Sequence, residues 1–213
     1  MNRLVAFGCS CTWGEALPDT VEYTHSSYNS PASKLAWPQV LSNKLSLKCI
    51  NKGISGASNK EIFKHILDFK FKPTDKVYIL WTYSYRDCTF LEHGKVPERI
   101  TLPSIHPIHK FLNSKKNKLY ATYMFHEYNS FIESYMYANH AKLYLDKLGI
   151  ENTHMVYKFK RKSCWFNQYK IPKWNNVKFL PLKFIVDLAL DNSHPSERSH
   201  ADFAMQIYKN INL

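Results

Sequence analysis

A serine flanked by two cysteines stands near the start of the sequence, directly after a short apolar run. In the stretch LVAFGCSCTWGEAL, residues 4–17, the apolar run ends at Gly8, and Ser10 follows between Cys9 and Cys11. Two chemistries fit these residue types: a thiol site for metal or redox work, and a serine hydroxyl presented as a nucleophile. Serine is a weak nucleophile without an adjacent base, so partners elsewhere in the chain must decide between the two.

An Asp-x-x-His sequence near the other end of the chain supplies such a base. Asp191 and His194 are three residues apart, which places both side chains on one side of a helix-like turn. His194 is then a candidate general base for Ser10, with Asp191 orienting the ring and stabilising the imidazolium. Gly56 leaves its N–H unobstructed, so that it can donate to an oxyanion beside the N–H of Ser10.

The cysteines have no comparable partners. Five cysteines at irregular spacing, without a Cys-x-x-Cys pair, argue against a disulfide framework and against a zinc finger. We therefore expect reduced thiols, no metal and no cofactor, and the redox or metal site at Cys9 and Cys11 becomes the minor alternative. His200 is expected to pack or to face solvent. Three further histidines lack a regular element that would fix them as metal ligands: His93, His106 and His109.

The hydrophobic pattern predicts the elements that must position these groups. Strand patterns at 3–7, 48–51 and 76–83 alternate with helical patterns at 36–47 and 60–69, the second capped by Asn59. This alternation predicts a parallel sheet with right-handed crossovers. Sites in such sheets form at the carboxyl edge, where we expect the loops 8–14, 53–59 and 191–194.

The second half of the chain is less regular. A helical pattern runs over 120–148, a strand is predicted within 153–159, and a last helix follows Ser196 as N-cap, with Phe203, Ile207 and Ile211 on one face. Residues 83–118 are predicted to be irregular. Residues 158–183 mix cations with aromatic side chains, which fits a nucleic-acid groove but is better explained by a solvated loop with aromatic anchors.

Three sequence blocks, in this order, resemble the SGNH or GDSL-type hydrolase superfamily. FGCSCTWG resembles its first block, with Ser10 at the nucleophile position, and NKGISGAS resembles the second, with Gly56 at the oxyanion glycine. DNSHP resembles the last block, with Asp191 and His194 as acid and base, and the helix AWPQVLSNKL is also similar. The resemblance implies one domain over 1–213, with a three-layer α/β/α fold and a flavodoxin-like parallel sheet of about five strands.

Two positions depart from the pattern of that superfamily. Cys9 replaces the usual aspartate, as in a branch of small, often viral, relatives with a Gly-Cys-Ser variant. The third block, WTYSYRD, lacks the asparagine that normally completes the oxyanion hole. Ser84 aligns best with that asparagine, and Thr82 is the other candidate; a hydroxyl can donate one hydrogen bond. Arg86 and Trp13 are candidate substrate-binding residues, although Arg86 could equally form a surface salt bridge.

The resemblance implies a serine esterase that cleaves an acyl ester, such as an O-acetyl ester, through an acyl-enzyme intermediate. The expected partner is a small-molecule or glycan ester. Two alternatives stay open: a non-catalytic carbohydrate- or virion-binding module on the same fold, and a basic nucleic-acid-binding protein.

The charge of the chain bears on the last alternative. The net charge of +12 suits a polyanionic partner, but no basic cluster matches a nucleic-acid module, and the plentiful Lys, Asn, Ile and Tyr indicate a coding bias. We therefore do not expect nucleic acid as the partner. No apolar run is long enough for a signal-peptide core or a membrane span. This predicts a cytoplasmic protein, or one in the host cytoplasm or virion if the source is viral.

Overall fold

Five parallel strands form the central sheet of the protein. The structure is a computed structural model, and it describes residues 2–20, 30–84, 86–89, 98–101, 126–157 and 170–211. The strands are β1 (Arg3–Gly8), β2 (Lys48–Gly53), β3 (Lys76–Leu80), β4 (Arg86–Thr89), β5 (Glu98–Thr101), β6 (Glu151–Tyr157) and β7 (Phe179–Leu182). The main sheet has the order β2-β1-β3-β6-β7, and every neighbouring pair in it is parallel. This flavodoxin-like order confirms the predicted sheet.

Helices cover both faces of this sheet. They are α1 (Ser10–Trp13), α2 (Trp37–Lys44), α3 (Asn59–Asp68), α4 (Glu127–Lys147) and α5 (Glu197–Ile211). The helices α2 and α5 pack against each other, as do α3 and α4. The result is the predicted three-layer α/β/α fold, in which each helix after α1 buries one stripe of apolar side chains.

The central strands are buried because their sequences are apolar without interruption. Leu4, Val5 and Ala6 in β1 have no solvent exposure, and the Val-Tyr-Ile-Leu run that ends β3 is at most 1% exposed. Strands covered by helices on both faces need such continuous runs rather than an alternating pattern. At the edge, β7 tolerates Pro181 because an edge strand can lack one ladder donor.

The helix ends show which polar residues act as caps. Ser58, not the predicted Asn59, is the N-cap of α3, and its hydroxyl accepts from the N–H of Glu61. A serine one position before the first helical residue reaches that N–H, whereas Asn59 already belongs to the helix. Ser196 caps α5 as predicted, because its hydroxyl accepts from the N–H of Ser199 at 3.3 Å.

Two segments hold more regular structure than their sequences indicate. Within 83–118, predicted to be irregular, β4 and β5 pair antiparallel, and within 158–183, predicted to be a loop, residues 179–182 form β7. The prediction failed because each of these strands is only four residues long, too short for a periodic pattern. His93, His106 and His109 lie outside the described residues, as do 158–169.

The amino-terminal edge of the sheet carries a buried ion pair. The guanidinium of Arg3 in β1 contacts the carboxylate of Asp75, which precedes β3, at 2.5 Å, and the Asp75 side chain has no solvent exposure. This pair joins two central strands at the edge opposite the carboxyl ends. Among the described residues, none of the helices combines the length and the apolar character that crossing a membrane requires.

Candidate active site

The segments after β1 and β2 pack backbone against backbone at the carboxyl edge of the sheet. Gly8 ends β1 and Gly53 ends β2, and these two glycines are partners in the ladder. A Cβ atom on Gly53 would lie 2.3 Å from the backbone nitrogen of Trp13, so only glycine lets α1 lie on the end of β2. The N–H of Ile54 also donates to the carbonyl of Gly8 at 3.0 Å.

Ser10 begins α1 directly at this edge. Its side chain is buried, with the whole residue 3% exposed, and its hydroxyl donates a long hydrogen bond to Cys9 Sγ at 4.0 Å. Gly56 lies in the next loop, in a left-handed turn with φ of +72°. Neither the N–H of Ser10 nor that of Gly56 has an acceptor among the described residues. Both donors are therefore open at the edge where the sequence predicts an oxyanion hole.

Asp191 and His194 are in contact, as their spacing predicts. His194 Nδ1 donates to Asp191 Oδ2 at 2.5 Å; a carboxylate only accepts, so Nδ1 carries the proton. The other oxygen, Oδ1, accepts from the N–H groups of His194 and Ser193 at 2.9 Å and 3.0 Å. The turn is closed by a bridge between Leu188 and Pro195.

The hydrogen bonds to Asp191 keep it charged. Partial burial is the largest influence on its pKa and raises it, but the hydrogen bonds from His194 and Ser193 outweigh burial and hold the pKa of Asp191 well below its usual range. A carboxylate that stays ionised can orient the His194 ring and stabilise its protonated form.

The second ring nitrogen of His194 faces a residue that the sequence analysis missed. His194 Nε2 lies 3.4 Å from Glu15 Oε2, and no hydrogen bond joins Ser10 to His194 among the described residues. The same Glu15 oxygen accepts a hydrogen bond from the hydroxyl of Ser55. The sequence held no signal for Glu15, because its contacts are with residues far along the chain.

The two hydroxyls considered for the third oxyanion donor have different surroundings. Thr82 is fully buried, and its hydroxyl accepts from Arg86 at 3.3 Å; Arg86 and Thr82 both lower the pKa of the Cys9 thiol. Ser84 instead lines a small polar pocket with Asp87 and other residues between α3 and α4. The contacts of Thr82 thus reach the neighbour of Ser10, which favours Thr82 over the better-aligned Ser84.

Cys9, which is buried, and Cys11, which is half-buried, lie on either side of the serine. The interaction between the two thiols is the largest influence on the pKa of each. It lowers the pKa of Cys9, and the positive charge of Arg86 acts in the same direction while burial opposes it. It raises the pKa of Cys11, and burial acts in the same direction. Cys9 Sγ also lies 3.4 Å from the hydroxyl of Tyr157. In the part of the chain that the structure describes, no three His, Cys, Asp or Glu residues are placed to hold a metal.

Two of the remaining candidates are core residues. Trp13, a predicted substrate contact, is only 1% exposed; this prediction is corrected, because the indole is packed inside the fold where α1 lies on β2. His200 is fully buried, and its Nδ1 accepts from the N–H of Trp37 at 3.0 Å. Burial, and then the charge of His194, lower the pKa of His200 to about 3.

Arg86, the other predicted substrate contact, lies next to the nucleophile turn. Its guanidinium lies over the ring of Tyr83, 5.4 Å from the centroid, in addition to its contact with Thr82. It therefore brings a positive charge to the edge that carries Ser10. This position is compatible with a role in binding an acidic group.

The protein resembles solved structures of ester hydrolases. No family model and no curated protein sequence matches the chain. A lipolytic protein of the G-D-S-L family from Desulfitobacterium hafniense DCB-2 is 12% identical, with 97% of this chain and 98% of that chain covered and a TM-score of 0.51. The psychrotrophic esterase EstA from Pseudoalteromonas sp. is 11% identical, with 100% and 97% covered and a TM-score of 0.53.

A carbohydrate esterase with divergent catalytic and non-catalytic binding functions is 10% identical, with 99% of this chain and 68% of that chain covered and a TM-score of 0.59. At such identities the likeness shows the fold alone. The chain therefore has the fold of the SGNH and GDSL-type hydrolases, as its three sequence blocks predict, while its assignment to the viral-type variant branch stays a prediction.

Proposed function

We propose that the protein is a serine ester hydrolase in which Ser10 is the nucleophile, His194 the general base and Asp191 the group that orients the base. The observation that carries the proposal is the 2.5 Å contact between Asp191 and His194 Nδ1, in a fold whose known members include esterases. It leaves Nε2 as the nitrogen that takes a proton.

The reaction follows from the roles of these groups. Ser10 Oγ attacks the ester carbonyl while His194 Nε2 takes its proton, and the N–H groups of Ser10 and Gly56 stabilise the negative oxygen. The imidazolium then gives the proton to the leaving alcohol. Water, activated by the same ring, hydrolyses the acyl-enzyme. For these reaction steps to occur, His194 Nε2 must exchange its contact with Glu15 for a contact with Ser10.

The third oxyanion donor in this proposal is the hydroxyl of Thr82, with Ser84 as the alternative. A hydroxyl offers one donor where an asparagine amide offers two, so the hole is weaker than one with an asparagine. Losing one good donor costs about 10²–10³ in rate. We therefore expect a slow enzyme on unactivated esters.

Exposed apolar side chains lie next to the proposed base. Leu190, directly before Asp191, is 74% exposed, and Leu188 is 46% exposed, so apolar surface adjoins the proposed base. This apolar surface can pack against the alcohol part of a small-molecule or glycan ester, which we propose as the substrate class. We propose an acetyl group as the acyl group, because one protein of the same fold is an acetyl xylan esterase. Rates on p-nitrophenyl acetate, butyrate and octanoate test this choice; a rate that rises with chain length would overturn it.

The direct test of the mechanism uses p-nitrophenyl acetate. We expect the wild-type protein to cleave it and Ser10→Ala to lose about 10⁴–10⁶ in kcat. Thr74→Ala is the control, because this hydroxyl is exposed before β3, at the opposite edge of the sheet. Equal rates for the wild type and Ser10→Ala would exclude the triad.

A second candidate function is a non-catalytic binding module on the same fold. It is favoured by the contact of His194 Nε2 with Glu15 in place of Ser10, and one structural neighbour is described as having non-catalytic binding functions. A fluorophosphonate probe separates the two candidates, because only an activated hydroxyl reacts with it. Labelling at Ser10, located by mass spectrometry, supports the hydrolase; a protein that stays unlabelled supports the binding module.

A further inference from the structure

Glu15 contacts both the proposed base and the proposed oxyanion loop. The residue follows Gly14, whose left-handed conformation at φ +91° ends α1. Glu15 is 9% exposed, and a single oxygen, Oε2, lies 3.4 Å from His194 Nε2 and accepts from the hydroxyl of Ser55. One carboxylate therefore joins the loop after β1, the loop that carries Gly56 and the loop that carries His194.

The His194 ring consequently lies between two carboxylates. Nδ1 faces Asp191 at 2.5 Å and Nε2 faces Glu15 at 3.4 Å. A neutral imidazole has one N–H and can satisfy only one of two acceptors, whereas the imidazolium has two and satisfies both. This geometry suits the protonated ring, and a protonated ring cannot take the proton of Ser10.

We propose that Glu15 is a positioning residue, which holds His194 in a resting arrangement away from Ser10 and makes the release of the ring depend on pH. The inference rests on the proposed hydrolase function. Loss of the proton on Nε2 removes the attraction to Glu15 and leaves a lone pair that repels the carboxylate. The ring is then free to turn its Nε2 toward the Ser10 hydroxyl. Glu15 thus controls when the base becomes available to Ser10.

Among the residues that the structure describes, three titratable groups act on the ring, and they come from three different elements. Asp191 lies on the same loop as His194, Glu15 lies in the loop after α1, and His200 lies in α5. Burial, and then the charge of His194, lower the pKa of His200 to about 3, so that it is neutral near pH 7. Glu15 is therefore the acidic group whose removal changes the charge at Nε2 without breaking the contact of Nδ1 with Asp191.

The test follows the His194 ring directly, in the full-length protein. Ring ¹H–¹⁵N spectra are recorded against pH for the wild type, Glu15→Gln and Glu197→Gln, with the His194 signal assigned from its loss in His194→Gln. Glutamine at position 15 can still accept from Ser55 but carries no charge. Glu197 is the matched control, because it is exposed and only three residues from His194.

We expect the titration midpoint of His194 to fall in Glu15→Gln, since removing a nearby opposite charge disfavours the protonated ring. The acid limb of kcat/KM on p-nitrophenyl acetate should move by the same amount. Glu197→Gln should leave both midpoints in place. Glu15→Asp, which keeps the charge on a shorter side chain, should fall between the wild type and Glu15→Gln.

The outcomes separate this inference from the proposed function. A His194 midpoint that is the same in wild type, Glu15→Gln and Glu15→Asp overturns the role of Glu15, even when Ser10→Ala abolishes activity. If instead Ser10→Ala keeps the wild-type rate, the hydrolase proposal fails, and the spectra still decide whether Glu15 acts on the ring. Should Glu15→Gln not fold, the comparison of Glu15→Asp with the wild type decides the question.

Discussion

Asn59 holds the backbone of Thr82 at both of its polar groups. Its amide oxygen accepts from the Thr82 N–H at 2.8 Å, and its amide nitrogen donates to the Thr82 carbonyl at 3.1 Å. The same amide nitrogen also donates to Ser134 in α4. A residue that begins α3 therefore fixes the chain just after β3, where the third oxyanion donor is expected.

Replacing Asn59 by alanine should destabilise the protein substantially. The change leaves a buried N–H and a buried carbonyl of Thr82 without partners, and each unsatisfied group costs about 1–3 kcal/mol. We expect a loss of about 2–5 kcal/mol in the free energy of unfolding, measured by urea denaturation. Asn43→Ala, at an exposed position, should change it by less than about 0.5 kcal/mol.

Thr82→Val should slow catalysis more than Ser84→Ala. Valine keeps the shape of threonine but cannot donate, so kcat on p-nitrophenyl acetate should fall by about 10²-fold if the hydroxyl serves the oxyanion. Ser84→Ala should lie within a few-fold of the wild type, because Ser84 lines the small polar pocket between α3 and α4. A larger loss in Ser84→Ala would reverse the assignment of the third donor.

Asp191→Asn should remove most of the activity while leaving the fold intact. Asparagine cannot hold the charged form of His194 and favours the wrong tautomer, and a change of this kind costs about 10⁴ in kcat. Circular dichroism should match that of the wild type. Asp202→Asn is the matched control, since Asp202 is exposed on α5 and bonds only Gln206 among the described residues.

The Arg3–Asp75 pair should make stability fall at low pH. Burial is the largest influence on Asp75 and raises its pKa, but the hydrogen bonds from Arg3 and from the backbone of Lys72 outweigh it, so the pKa is lowered. Because the pKa of Asp75 is lower in the folded state, the pair stabilises the fold when the pH is above about 3.9, the pKa of an aspartate in the unfolded chain. This contribution is lost as the pH falls through the pKa of Asp75 in the folded protein.

Urea denaturation at pH 7 and pH 3 tests the pair. Asp75→Asn should lose about 3 kcal/mol at pH 7, as expected for breaking a buried ion pair, and should depend less on pH than the wild type. Asp68→Asn, which breaks the exposed pair with Lys64, should cost less than about 1 kcal/mol. Equal losses in the two variants would contradict a special role for the buried pair.

Two buried histidines should extend the acid sensitivity to higher pH. Burial is the main cause that lowers the pKa of both His154 and His200 to about 3. The unfolded chain binds these protons near pH 6.5, so between about pH 6.5 and 3 the unfolded state holds more protons and stability falls with acidification. The free energy of unfolding should change by at most about 3 kcal/mol per pH unit for the two histidines together. His200→Gln should halve it.

The central elements could be predicted because their signals are local. The run Val77–Leu80 is apolar throughout, and Phe203 and Ile207 in α5 recur at helical spacing, so hydrophobic pattern alone placed them. Asp191 and His194 were also predictable as a pair, since three residues of spacing fix their contact. The parallel direction of the strands followed from the rule that strand–helix–strand units make parallel crossovers, whereas the flavodoxin-like strand order was implied by the family resemblance.

The missed features depend on contacts between distant residues. Glu15 meets His194 across nearly the whole chain, and no spacing encodes that contact. Trp13 was predicted to contact substrate, yet it is buried, because the glycine at position 53 lets the backbone of α1 lie directly on β2. Residues 179–182 form a strand only because β6 offers them an open edge.

The contact between Gly53 and the backbone of α1 affects which substitutions this protein can tolerate. Because backbone meets backbone there, the spacing between the turn at Ser10 and the turn at Gly56 is fixed by two glycines, not by matched side chains. The residues around the two turns can then change while the spacing of the backbone between the turns stays the same. The fold itself is shared with proteins that are only 10–12% identical to this chain.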